Sequence, residues 1–197
     1  MGLHLGMTGG LFVEARNYKV QKHDALVLRQ SQQTLVFKDP RQFGKLSLDT
    51  GNHEPVWWRN LAPLMTSGEF TMEILEMSLS RHRRKPIKAL LLDQRYFPGM
   101  GNWMADEVLW RAEIHPAQLS GQIQESKRKK LFEQIIFVAK GAMNSVGQYG
   151  GDPPANWLFH ARWKEGQSCP KTGKVLIREK IGGRTTCWSP DLQEKTI

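Results

Sequence analysis

Lys88 and Asn102 flank a short glycine-bearing turn, Pro98-Gly99-Met100-Gly101, and together these residues have the makings of a phosphate site. Glycines permit backbone conformations that expose N–H groups where a helix begins, and a helix start carries partial positive charge. A lysine and a side-chain amide add further donors. On physical grounds alone the same stretch is equally an ordinary helical hairpin closed by a glycine turn, and both readings stay open. A second concentration of cations lies just upstream, Arg81-His82-Arg83-Arg84-Lys85, and it either tracks phosphates or forms a solvated face. Total charge bears on the choice. There are 28 Lys and Arg against 19 Asp and Glu, a net charge of +9 with a pI near 9.7. Such an excess favours a polyanionic partner, because neutralising phosphates releases condensed counterions.

The elements that must hold these residues fall into a β part and a helical part. Period-two alternation marks strands near 25–29, 34–37 and 45–48, each burying one face. Three or four strands are few for an independently stable sandwich. A connecting segment rich in Asn, Pro and Trp covers 51–68. From Thr71 the period becomes helical, with Met72, Leu75 and Leu79 leading to the basic cluster. Pro86 suits the first turn of a helix over 87–94. Helices over 103–112 and 125–146 follow, and the aromatic, glycine-rich tail from Asn156 ends in a hairpin. No apolar run approaches the ~20 residues needed to span a bilayer. The first residues show no charged-then-apolar signal pattern, so secretion is not expected, and Gly6 stands where myristoylation wants Ser or Thr. The two cysteines, Cys169 and Cys187, are too few for a disulfide scaffold. These features point to a reducing cytoplasm or nucleoid.

Four blocks carry a resemblance to a known family. They are His4-Leu5-Gly6-Met7-Thr8-Gly9, Asp39-Pro40-Arg41-Gln42-Phe43-Gly44, the stretch from Lys85 to Pro116 containing Pro-Gly-Met-Gly-Asn, and Gly182-Gly183-Arg184-Thr185-Thr186. In order and spacing they are similar to the formamidopyrimidine-DNA glycosylase and endonuclease VIII family, and they span nearly the whole chain. The resemblance implies an α+β protein. An incomplete N-terminal β-sandwich covers 1–50 and a linker 51–68. A helix–two-turns–helix DNA-binding domain covers 69–155, and a finger hairpin 156–197. It implies that Lys88, Asn102 and Arg184 grip the DNA backbone, with Gly182 and Gly183 turning the hairpin sharply beneath Arg184. It also implies that Met7, Arg41 and Phe43 fill the hole left by an extruded base. Glu107 matches an acidic family position near the site.

The sequence departs from the family pattern twice. Family chemistry begins at an N-terminal proline followed by glutamate, the secondary amine attacking the sugar C1′. Here the second residue is Gly2 and the His-Leu-Gly block follows at once, so the resemblance implies a chain that starts after the catalytic N-terminus. No catalytic residue is then expected beyond support from Glu107. The family finger also usually holds zinc with two Cys-x-x-Cys pairs, whereas the matching positions here are Cys169, Thr172, Ser189 and Leu192. A tetrahedral site cannot assemble from these, so the expectation is a zincless finger, no metal and no cofactor, with Trp157, Phe159, Trp163 and Trp188 packing in its place.

The function implied is base-excision repair. The expected partner is damaged double-stranded DNA, bound by a monomer, and the full-length form would remove oxidised bases, purines foremost, as a glycosylase with AP-lyase activity. The alternative is a module that binds damaged or abasic DNA without chemistry.

Overall fold

The structure is a computed structural model that describes residues 1–6, 8–147 and 150–194. It is an α+β fold that divides into two compact units, Met1–Asn60 and Leu61–Ile197. The division falls inside the predicted 51–68 connecting segment, and the 156–197 hairpin region lies within the second unit.

The first unit contains β1 (Gly2–His4), β2 (Gly10–Ala15), β3 (Asp24–Arg29), β4 (Gln33–Lys38), β5 (Lys45–Ser47) and a short helix α1 (Val56–Arg59). Antiparallel pairing gives one sheet in the order β2-β4-β3, and β1 pairs separately with β5, His4 opposite Lys45. Sequence alternation identifies β3, β4 and β5 but misses β1 and β2. Gly10 to Val13 is a continuous small-to-apolar run without alternation, so only its pairing with β4 makes it a strand. α1 was unexpected as well. The central strand β4 buries Thr34, Val36 and Phe37, while Leu11, Phe12 and Val13 on the β2 edge remain exposed.

The second unit is built on helices α2 (Met72–Arg81), α3 (Ile87–Leu91), α4 (Asn102–Ala112) and α5 (Glu125–Ala142), followed by the hairpin β6 (Ile177–Ile181) and β7 (Arg184–Trp188). α3 ends three residues before the predicted Gln94. The helix predicted to reach Val146 widens into a π-helical turn at Met143–Gly147. No helix among the described residues is long and apolar enough to cross a membrane.

α4 is buried continuously from Ala105 to Trp110, because it serves two cores at once. Ala105, Val108, Leu109 and Ala112 pack with Leu75, Leu79, Ile87, Leu91, Leu131 and Ile135. Trp110 instead joins a second cluster with Leu158, Cys169, Leu176 and Cys187, which Leu192 completes. A helix buried on several sides is a core helix, and here it ties the hairpin to the helical bundle. The aromatic residues predicted to hold the finger divide: the Trp188 indole on β7 donates to Glu179 on β6 at 2.8 Å and so joins the two hairpin strands, while the others pack elsewhere. Trp157 packs in the helical core, Trp163 is half exposed, and Trp188 sits edge-on against His115 with ring centroids 4.4 Å apart.

Candidate nucleic-acid interface

The turn before α4 is held by a residue that sequence reasoning passed over. Gln94 accepts the Gly99 N–H at 2.8 Å and donates to the Met100 carbonyl at 2.9 Å. Gly99 sits at φ +84°, in the left-handed region that favours glycine, and the Met100 side chain is fully buried as an anchor. Gly101 is the N-cap residue of α4 and no side chain caps that end. The first amides of α4 therefore lack a capping partner at the positive end of an eleven-residue helix, an arrangement suited to an anion.

The hairpin tip is brought to this helix start. Asn102 Nδ2 donates to the Thr185 carbonyl at 2.9 Å, across 83 residues of sequence. Gly182 and Gly183 have φ of +60° and +78°, the two positive values that a tight type I′ turn requires. Arg184, the next residue, is exposed. Of the three predicted phosphate-binding residues, Asn102 is thus bonded to the residue that follows Arg184.

Lys88 requires a correction. It is fully buried, and its Nζ donates to Asp106 Oδ1 at 2.6 Å, Thr186 Oγ1 at 2.7 Å and the Thr185 carbonyl at 3.0 Å. An ammonium has three N–H donors, so none is left for a phosphate. Burial lowers the Lys88 pKa, and the adjacent Asp106 carboxylate opposes that shift. The unforeseen centre is Asp106 itself. Its Oδ2 also accepts from Arg162 Nη2 at 2.7 Å and Nε at 3.2 Å, and from the Cys187 N–H at 3.2 Å. One signal was available: Asp106 stands four residues after Asn102, on the same helix face, and with Glu107 it interrupts the apolar residues of α4.

Glu107 is likewise a structural residue. It is fully buried, takes Arg111 Nε at 2.7 Å and accepts the Phe159 N–H at 3.2 Å, pinning the 158–160 turn to α4. Burial raises its pKa, with Arg111 pulling the other way. Beside the Pro98–Gly101 turn lies a cavity of about 330 Å³ whose walls include Leu64, Met65, Trp103, Met104 and Met143. That volume is in the range of small-ligand sites. In the basic cluster, Arg81, Arg83 and Arg84 are exposed, while Lys85 pairs with Asp93 at 3.0 Å.

In the first unit two loops meet. Asp39 Oδ2 accepts the Gly44 N–H at 2.7 Å, closing the 39–44 turn. Arg41 lies over the Phe43 ring at 4.8 Å, and both side chains are exposed. Gly6 packs directly against this turn, since a Cβ on it would approach the Phe43 backbone to 2.8 Å. Met7, the third predicted wedge, lies outside the described residues.

The finger positions do not fit zinc. Leu192 offers no donor atom and packs in the apolar cluster. Among the described residues no group of three or more His, Cys, Asp or Glu could hold a metal. The two free thiols differ. Burial alone would push Cys169 up, but hydrogen bonding by Thr172, Ser189 and the Trp110 indole outweighs it and brings the pKa to about 7. The Trp110 indole N–H donates to the Cys169 sulfur at 3.3 Å, while the buried Ser189 hydroxyl makes no hydrogen bond of good geometry. Burial and the nearby Asp106 raise Cys187 to about 11.

Comparison with known proteins places these features in context. Residues 61–150 match the formamidopyrimidine-DNA glycosylase H2TH domain, and residues 1–46 match the formamidopyrimidine-DNA glycosylase N-terminal domain. A formamidopyrimidine-DNA glycosylase of Roseiflexus sp. (strain RS-1) is 33% identical over 202 residues, covering 98% of this chain and 74% of that protein. One from Streptococcus pneumoniae serotype 4 is 30% identical with the same coverage. Among solved structures, MutM in complex with carbocyclic 8-oxo-G containing DNA matches with a TM-score of 0.81 at 29% identity, over 98% of this chain and 73% of that one. The Lactococcus lactis Fpg in complex with an abasic site containing DNA matches with a TM-score of 0.77 at 28% identity, over 98% and 74%.

Proposed function

The chain belongs to the formamidopyrimidine-DNA glycosylase family, and from that premise we propose that it acts in DNA base-excision repair, binding duplex DNA at a damaged base and serving its removal by glycosylase and AP-lyase chemistry. Oxidised purines are the substrate class, in keeping with solved relatives bound to 8-oxo-G and abasic-site DNA. Relatives at 30 to 33% identity across 98% of the chain carry the glycosylase name, which disfavours a purely non-catalytic binding module.

The observation that carries this reading is the Asn102–Thr185 contact, which sets the exposed Arg184 beside the uncapped start of α4. A phosphate at that point meets helix amides and a guanidinium together, the pairing that binds a DNA backbone without reading its sequence. Arg81, Arg83 and Arg84 extend the positive surface. Arg41 and Phe43, held as a stacked pair on a closed turn, supply the planar wedge that takes the place of an extruded base. The extruded base needs an apolar, aromatic-walled recess, and the cavity at Trp103 is of suitable size. A monomer working on the nucleoid in the cytoplasm belongs to the same proposal, supported by the net charge of +9.

The test is fluorescence anisotropy on two duplexes of one sequence, one undamaged and one with a tetrahydrofuran abasic analogue. We expect at least about tenfold preference for the abasic duplex, and log affinity falling linearly with log salt. Equal affinity for the two duplexes, or binding indifferent to salt, refutes the proposal.

A further inference from the structure

Resting on that reading, we infer that Asp106 is a positioning residue for DNA engagement: it locks the tip of the β6–β7 hairpin onto the start of α4 and so fixes where Arg184 meets the backbone. Three side chains from the helices end on three consecutive hairpin residues. Asn102 reaches the Thr185 carbonyl, Lys88 reaches Thr185 and Thr186, and Asp106 takes the Cys187 N–H. Asp106 joins two of the three. Its Oδ1 holds the Lys88 ammonium, and its Oδ2 holds both Arg162 and the hairpin amide. Arg184 is the residue immediately before this clamped run.

The arrangement fits positioning better than bulk stability. The hairpin's apolar residues Cys187 and Leu176 are already packed against Trp110 and Leu158. Burying two cations and one carboxylate is an inefficient way to add to that packing, because well-packed apolar replacements of buried ion networks are often neutral or stabilising. Short charge-assisted hydrogen bonds do supply directionality, since each is satisfied in one geometry only. A two-stranded ribbon is marginal by itself, and its tip would sweep a range of positions without such a clamp. The clamp acts on residues 185–187, where a small rotation would be felt directly at Arg184.

The experiment uses the full chain and two hub variants, Asp106→Asn and the double substitution Lys88→Met/Asp106→Leu, each with and without Arg184→Ala. Binding to the tetrahydrofuran duplex is followed by anisotropy over a salt series. Amide exchange of residues 177–188 is followed by mass spectrometry. In the unsubstituted chain, Arg184→Ala should weaken binding about tenfold and reduce the salt slope by about 0.9. In a folded hub variant the starting affinity is already lower, and Arg184→Ala should then cost less than about twofold, because the two sites are coupled. Hairpin amides should exchange faster while α5 keeps its protection. If the double variant fails to fold, Asp106→Asn, which keeps shape and one acceptor, carries the same comparison. A hub variant in which Arg184→Ala still costs its full factor overturns the inference, as does unchanged hairpin exchange or an Arg184→Ala without effect in the unsubstituted chain. If the unsubstituted chain shows no preference for the abasic duplex, the functional reading itself has failed. If that preference is present and only the coupling is absent, the inference alone has failed.

Discussion

Replacing Gly44 by Ala probes whether the 39–44 turn is what presents Arg41 and Phe43. A Cβ at this position would lie 2.5 Å from Phe37 Cζ, 2.7 Å from Asp39 Oδ2 and 3.0 Å from the His4 carbonyl, where ordinary contact begins at 3.4 Å. Phe37 is a buried core ring and cannot yield by nearly 1 Å, so the turn must lift. Lifting breaks the 2.7 Å bond from the Gly44 N–H to Asp39. The other Asp39 oxygen is buried without a hydrogen-bond partner, so the carboxylate would be left poorly satisfied. Overpacking costs roughly 1–3 kcal/mol, and a lost charge-assisted bond costs about 1.5–3 kcal/mol. The two overlap because movement relieves the clash, and a net loss of roughly 2–4 kcal/mol follows. In a sixty-residue unit such a loss lowers the melting temperature on the order of 10 °C or more. Calorimetry measures that shift, and anisotropy on abasic and undamaged duplexes measures the consequence. The preference for the abasic duplex should collapse while the salt slope, set by phosphate contacts, stays as it was. Gly99→Ala is the contrast. Its Cβ meets nothing within 4 Å, so only the backbone strain at φ +84° is introduced, about 1–2 kcal/mol. A Gly44→Ala protein that melts within a degree or two of the parent and keeps its abasic preference would show that the turn does not set the wedge.

Three further outcomes follow from the same contacts. Phe43→Ala removes an exposed ring and should leave the melting temperature within about 2 °C, since exposed sites rarely cost more than ~0.5 kcal/mol, yet abasic preference in anisotropy should fall several-fold. Glu107 has a folded-state pKa raised by burial, so the folded protein binds its proton more tightly than the unfolded chain. Its contribution therefore favours the fold at low pH and is lost as pH rises from the ordinary value of 4.5 through the raised one. Glu107→Gln should flatten that part of a melting-temperature profile between pH 4.5 and 8, and an unchanged slope would count against the burial argument. Chelator treatment should leave melting and DNA binding unchanged, because Thr172, Ser189 and Leu192 occupy three of the four family ligand positions. Elemental analysis finding one zinc per chain would overturn this.

Local chemistry was legible in the sequence wherever the required geometry is local. Paired glycines at 182 and 183 specify a turn with two positive φ angles, and Gly99 marks the bend before α4. The helical period through Leu75 and Leu79 places both in the core, and the motif order identifies the family. The strands β1 and β2 escaped notice because a strand is completed by its partner, and β2 finds β4 some twenty residues away. Lys88 shows the difference most clearly. Read along the chain it is a cation beside a phosphate-binding turn, since an unpaired lysine belongs in water. Only the folded structure supplies Asp106 one helix later and Thr186 from 98 positions further on. The spacing of residues along the chain determines which side chains share a helix face or turn. What docks against that face decides whether a charge is solvated or buried, and in this protein that turned an expected DNA contact into a buried link between α3, α4 and the hairpin.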